Sequence, residues 1–349
     1  MEEPVNKTTT PITAATAFQQ LSRAGYPQNY IKRFLPDWWD NSLIRTSAGS
    51  LQFALILHQR LGLQIEFMPD GTIAIASEAP AARFKHRADT KESELTLAAN
   101  LGLALAKTTL HAVRTTYRTL SSDPQKVREN CLGNSTCNVV SFESLLDLCW
   151  RHGIPVLFLN YLPRGSKKVT GMAVSINDRP AIILGFNHKQ SARQLFVLAH
   201  ELGHVLLGHV GQDSVLLDEE LVEVQGNLEG SPEVPKDQQE LEADSFALRL
   251  IRGHVDDPIE EIGSPKSSAA LLASTVPVAK RYGIDPGHLI LSYAKQNDEW
   301  MLANQALNFL PREADPLELM ETQFKRNIDL DSMTSEHANY VLLTQGYSE

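Results

Sequence analysis

Cysteine is scarce in this chain of 349 residues, which has three: Cys131, Cys137 and Cys149. So small a set, odd in number, does not read as a secreted disulfide framework. Cys131 and Cys137 flank a short Leu-Gly-Asn-Ser-Thr segment and could pair under oxidation, but the two further close ligands of a zinc knuckle are missing. Cys149 keeps helical company with Leu145, Leu146 and Leu148, which makes burial its role. None of the three has a base nearby in sequence, which argues against a cysteine nucleophile. Long apolar runs are also missing. No uninterrupted stretch reaches the roughly 18 residues of a membrane span, and the most apolar early stretch, 95–106, is too short. The opening Met1-Glu-Glu-Pro lacks the basic-then-apolar order of a signal peptide, so the expectation is a cytoplasmic protein with no membrane partner. Positive charge is in deficit: 32 Lys and Arg stand against 42 Asp and Glu, a net charge of -10. That balance excludes broad nonspecific nucleic-acid binding and leaves only a local basic face open.

What the chain has is material for a core. Its apolar fraction of 42% and charged fraction of 21% are those of a folded globular protein. Its length suggests two or three domains.

The most informative segment is Phe196-Val-Leu-Ala-His200-Glu201-Leu-Gly-His204. Leu195, Phe196, Leu198, Ala199, Leu202, Val205 and Leu206 recur at helical intervals and make a helix buried on most sides. Ser191 and Gln194 have capping-box spacing at its start. On such a helix positions i and i+4 share a face, so His200 and His204 can grip one metal ion. Glu201 then lies close enough to take a proton from an attacking water, the arrangement of zinc proteases. Two histidines and a glutamate in an apolar helix carry a desolvation penalty unless they have partners, and a metal ion supplies one for all three.

A catalytic zinc takes a third protein ligand. Asp237-Gln-Gln-Glu240-Leu-Glu242-Ala-Asp244 offers candidates. Glu240 and Asp244 are i,i+4 and can face the first helix together. Glu240 would bind the metal and Asp244 would accept the second ring N–H of a ligand histidine. Spacing alone leaves Glu240 and Glu242 open as ligands, since they point roughly 200° apart around the helix. Asp237 and Glu240 also fit an ordinary N-cap and its partner. His209 competes as a third ligand but misses the metzincin register by one residue, as does Gly208. Gly208 is therefore read as the helix end and His209 as a helix-dipole or cleft residue. Tyr282, His209 and His288 are the candidate donors to a tetrahedral oxyanion.

The stretch Arg193 to His204, the strands before it, and Glu240-x-x-Ala243-Asp244-x-Phe246-Ala247 resemble the ImmA/IrrE family of zinc metallo-endopeptidases. Val278-Ala-Lys-Arg-Tyr282-Gly-Ile-Asp285 resembles a short helical element that follows the protease core there, so the likeness runs from about 141 to 295. It implies a thermolysin-like zincin core with one Zn2+ per chain. His200, His204 and Glu240 would be ligands and Glu201 the catalytic base. Among the candidates for third ligand it favours Glu240 over Glu242 and His209. It further implies a protein substrate of the helix-turn-helix repressor or antitoxin-like kind, and with it a part in transcription regulation and the stress response. Two features depart from the family: Leu250-Ile-Arg252-Gly253 replaces a Leu-Met-Pro-like stop, and the segment between His209 and Glu240 is long and acidic.

The expected fold class is α+β, a small sheet packed against two metal-binding helices and flanked by mainly helical regions. Residues 1–14 form a Thr-rich terminus. Residues 15–138 form a helical N-terminal domain, with helix to about Leu63 and again over 95–110 and 112–120. Residues 139–262 form the peptidase domain and 263–349 a helical C-terminal region. Within the peptidase domain, strands are expected over 154–159, 170–176 and 181–184, with a hairpin turn at Asn177-Asp178. A sheet edge beside the metal would offer backbone pairing to an extended peptide. Basic residues between Arg83 and Arg118 leave a DNA- or repressor-docking module open, though no helix-turn-helix spacing emerges. Trp38 and Trp39 are expected between short helices. The rival function is a weakly active or inactive zinc-binding regulatory protein that reads DNA through its N-terminal helices.

Overall fold

The structure, a computed structural model, describes residues 12–77, 83–85, 92–133, 138–160, 162–163, 169–185, 190–218, 238–255, 257–311 and 314–347. Its centre is a five-stranded sheet in the order β3-β7-β5-β6-β4. The strands are β3 (Arg83–Lys85), β4 (Val156–Phe158), β5 (Gly171–Ile176), β6 (Arg179–Leu184) and β7 (Ser214–Asp218). β5 runs antiparallel to both β6 and β7, while β4 and β3 lie parallel to β6 and β7. The β5–β6 hairpin turns at Asn177 and Asp178 with φ of 49° and 60°. Two positive φ values give the turn the twist that matches its strands, and Asn and Asp tolerate them better than most residues.

Helix α4 (Glu92–Leu110) covers one face of this sheet and α7 (Ser191–Leu206) the other. Adjacent residues of a strand point to opposite faces. Accordingly Met172 and Ile183 press on Gly102 of α4, whereas Gly171 faces Glu201 of α7. Helix α8 (Gln238–Arg252) lies across α7. Gly203 lets the pair approach, for a Cβ there would stand 3.2 Å from the Phe246 ring and 3.3 Å from the Ala243 backbone. Leu195, Leu198 and Leu202 of α7 are fully buried. Each contributes about 1.5–3 kcal/mol by leaving water.

Arg128 of α5 (Pro124–Leu132) ends α8 from outside. Its guanidinium donates to the carbonyls of Leu250 (3.1 Å) and Ile251 (2.6 Å), and also to that of Gly283 (2.7 Å). A cation there meets the negative end of the helix dipole. α6 (Phe142–Arg151) packs on α7 and begins in a capping box of Ser141 and Ser144. The C-terminal helices are α9 (Ser268–Tyr282), α10 (Pro286–Asn297), α11 (Trp300–Leu307), α12 (Pro316–Asn327) and α13 (Ser335–Gln345). Among the described residues no helix is long and apolar enough to cross a membrane.

Several expectations need correction. Residues 112–120 are not helical. Their backbone is claimed elsewhere: Arg114 N–H donates to Asn327, Ala112 accepts from Asp329, and Arg118 N–H donates to His152. Between α3 (Ser47–Leu61) and α4 stands an unforeseen hairpin, β1 (Leu63–Phe67) and β2 (Ile73–Ser77), whose alternation of apolar and polar residues has strand period. β7 is also new, inside the stretch read as an acidic loop. Helix α7 starts from Gln190 and takes no side-chain cap, so the Ser191–Gln194 box does not form. In the C-terminal region Pro277 lies inside α9 without ending it. Trp39 packs its ring, tilted, against Phe53 of α3, while Trp38 stays half exposed and donates to Glu336 at 2.7 Å.

The sheet edge also differs. β5, the strand beside Glu201, is paired on both sides, and β4 is bordered by α13, whose Gln345 accepts from the Phe158 N–H. The boundary placed near Val139 falls between elements that share this sheet, since β3 and α4 precede it, and one buried apolar cluster joins α4 to α10 and α12. Asp237, Cys137, His86, Arg87, Lys91 and most of the acidic stretch lie outside the described residues.

Candidate metal centre

Helix periodicity sets His200 and His204 on one face of α7, with ring centroids 4.6 Å apart and Nε2 atoms 2.9 Å apart. α8 brings Glu240 over them. Its Oε2 lies 3.5 Å from His200 Nε2 and its Oε1 3.4 Å from His204 Nε2. The ligand atoms of these three residues all fall within 4.8 Å of one another. Zinc bonds of about 2.0–2.2 Å in a tetrahedron space ligand atoms by about 3.4 Å, which matches both glutamate distances, while the two rings stand somewhat closer. Two imidazoles and one carboxylate are also the donor chemistry that suits zinc, so these residues fit such an ion.

Each ring is held from behind. His200 Nδ1 lies 3.0 Å from Asp244 Oδ1, so the proton sits on Nδ1 and Nε2 is left to face the cluster. His204 Nδ1 lies 2.9 Å from Nδ1 of His209, and His209 Nε2 lies 3.1 Å from Glu242 Oε2. With His204 Nε2 kept as a ligand lone pair, His204 donates to His209 and His209 donates to Glu242. Gln238 donates to the other oxygen of Glu242 at 2.8 Å. These two hydrogen bonds, the Gln238 bond more than the His209 bond, lower the Glu242 carboxyl below its ordinary pKa.

The turn after α7 makes this contact. Gly208 adopts φ 74°, and the His209 and Gly208 N–H groups return to the carbonyls of His204 and Val205, 3.0 Å and 3.3 Å away. That is a Schellman ending, and it folds His209 back onto the ring of His204.

Glu201 is fully buried beside the cluster, next to the first residue of β5. A Cβ at Gly171 would stand 2.0 Å from Glu201 Oε1, so only glycine leaves room for the carboxylate there. His200 and His204 are likewise fully buried.

The sequence candidates thus divide. His200, His204 and Glu240 come together, with Glu201 and Asp244 against them. Glu242 turns to His209, and His209 turns to His204. Tyr282 donates to the carboxylate of Glu261. His288 is buried on α10, stacks on Phe196 with ring centroids 6.2 Å apart, and accepts from Arg252. Tyr282 Oη and His288 Nε2 are therefore engaged away from the cluster. Sequence reasoning missed the His209–Glu242 link and the role of Gly171. The one available signal for the link was a glycine four residues after His204.

Comparison with known families points to the same helices. Residues 149–251 match the family model of the IrrE N-terminal-like domain, Peptidase_M78. The match runs from α6 to the end of α8. It takes in the three cluster residues together with Glu201, Asp244 and His209. No curated protein matches the chain. An IrrE-like peptidase stretch with a His-His-Glu cluster able to hold a metal ion supports metal-dependent hydrolysis.

Proposed function

We propose that this protein is a zinc-dependent endopeptidase of the ImmA/IrrE kind, with a thermolysin-like zincin core. The observation that carries the reading is the His200–His204–Glu240 cluster with a buried Glu201 beside it, inside a peptidase-like stretch. One Zn2+ per chain would be held by those three side chains, and when bound it supplies Lewis acidity to a peptide carbonyl and a water molecule. Glu201 accepts the proton of the attacking water and passes it to the departing amine. Asp244 orients His200, and His209 with Glu242 orients His204.

For the substrate we propose a cytoplasmic helix-turn-helix repressor or antitoxin-like regulator, cut in a linker or exposed helix. This rests on the family resemblance, and the chain's net charge of -10 favours encounter with a basic DNA-binding partner.

The test is to mix zinc-loaded protein with the product of the neighbouring regulator gene and look for discrete fragments by mass spectrometry. Glu201→Gln keeps all three ligands, so it retains stoichiometric zinc and loses cleavage. Loss of zinc in that variant would remove Glu201 from the role of base. A wild-type protein that holds one zinc and cuts no partner supports the rival, a zinc-binding regulatory protein. An intact regulator beside another protein that is cut overturns the substrate and leaves the peptidase.

A further inference from the structure

A cavity of about 230 Å3 lies between α7, α8 and α10. Phe196, Leu248, Ile259 and Leu291 make its apolar walls. Arg252, the last residue of α8, supplies a guanidinium. Its Nε donates to His288 Nε2 at 3.0 Å and its Nη2 to Ser292 Oγ at 2.7 Å. Both of these partners are uncharged. His288 is held neutral because burial, and after it the guanidinium, pushes its pKa well below 6.5.

Arg252 therefore makes no ion pair among the described residues, and the N–H groups of Nη1 are not spent on its two hydrogen bonds. Asp257 is near enough to favour the charged form of Arg252, but its carboxylate accepts from the Ile259 N–H at 3.0 Å. Among the described residues no carboxylate lines the cavity. Taking a cation out of water without a counter-ion is costly. A pocket with apolar walls and a few convergent polar groups is also the usual form of a small-molecule site.

We propose that this cavity binds a small organic carboxylate, with the anion on Arg252 and an apolar body between Phe196, Leu248, Ile259 and Leu291. A guanidinium presents paired N–H groups that match a carboxylate. One guanidinium in apolar walls suits a monoanion with an apolar body better than a compact dianion. Phe196 stands one turn before His200 and Arg252 three turns after Glu240, so an occupant would brace the two helices that carry the metal cluster. The site goes beyond the peptidase reading, and its occupancy does not depend on whether the chain cuts peptides.

Titration of the full chain with benzoate, followed by calorimetry and by thermal melting in chloride buffer, tests this directly. Benzoate should bind saturably at one per chain with a Kd below about 1 mM. Acetate, which lacks the body, and inorganic phosphate, which lacks it and adds charge, should each bind at least ~10-fold more weakly. Arg252→Gln should weaken benzoate at least ~10-fold by removing the charged donor. Leu248→Trp fills the apolar end while keeping the guanidinium, and should have an effect of the same size even where Arg252→Gln fails to fold. No benzoate binding by the folded wild type up to about 10 mM overturns the site. So does benzoate binding that survives in the folded variants. Phosphate binding as tightly as benzoate overturns the ligand class.

Discussion

Gly171 supplies no atom to the cluster, yet it sets where Glu201 can be. A methyl group there would lie 2.0 Å from Glu201 Oε1, 2.6 Å from Cδ and 2.8 Å from Cγ. The whole carboxylate would have to shift, inside a packed layer that gives little. Gly171→Ala should therefore keep bound zinc near one equivalent and cut peptide hydrolysis at least ~100-fold, since a 1 Å misplacement of a catalytic group costs that much. Wild-type turnover in Gly171→Ala would show that the position of Glu201 is not critical. His209 acts at one remove, through the ring of His204. His209→Ala should weaken zinc about 10–100-fold, the usual cost of losing the partner behind a ligand. His209→Gln, which can still accept from His204 Nδ1, should recover part of the loss. Glu240→Ala should lose zinc sharply. Glu242→Ala should show a smaller loss, through His209. Competition with a zinc-sensitive dye ranks the four variants, and equal affinity in wild type and His209→Ala would end this role for His209.

At the scale of elements, the ending of α7 ties local chain geometry to the metal centre. Gly208 holds φ 74° with open space where a Cβ would stand. Alanine there meets only the backbone penalty of a left-handed residue, about 1–2 kcal/mol. Gly208→Ala should lower the melting temperature modestly and weaken zinc by moving His209 off His204. A lower melting point with unchanged zinc affinity would uncouple the turn from the site. The two metal-bearing helices and the three strands before them were legible from local sequence: a period of 3.6 in α7 and α8, and short apolar runs bounded by turn residues in β4, β5 and β6. The Asn177-Asp178 turn was legible for the same local reason. What was not legible depended on distant partners. Residues 112–120 look helical by composition but give their N–H and C=O groups to Asn327, Asp329 and His152. β7 becomes a strand because β5 and β3 lie on either side of it, and no local signal reveals that. At the site, the i,i+4 pair His200 and His204 announced itself. The link from His209 to Glu242 joins two helices, and Gly171 meets Glu201 only through sheet-on-helix packing.

At the scale of the whole molecule, the cluster lies inside the protein. His200, Glu201 and His204 have no solvent exposure and Glu240 has 8%. Burial strengthens every charge interaction around the cluster, and it also means that neither a peptide nor a chelator reaches these atoms in this conformation. Access requires an opening motion, and such motions are commonly slower than encounter with a small molecule. With EDTA in excess, the rate of zinc loss from the loaded protein should therefore rise with chelator at low concentration and then level off at the rate of opening. Mild urea should raise that plateau, because opening exposes surface. Stopped-flow mixing with a fluorescent zinc indicator measures both effects. A rate that stays proportional to EDTA concentration throughout, with no effect of sub-denaturing urea, would mean that the site stands open in solution and that burial does not control entry. The same plateau should appear in Glu201→Gln, which leaves the ligands and the surrounding packing in place. Opening belongs to the fold and not to the proton chemistry, so the two proteins should release zinc at the same limiting rate even though only one of them cuts.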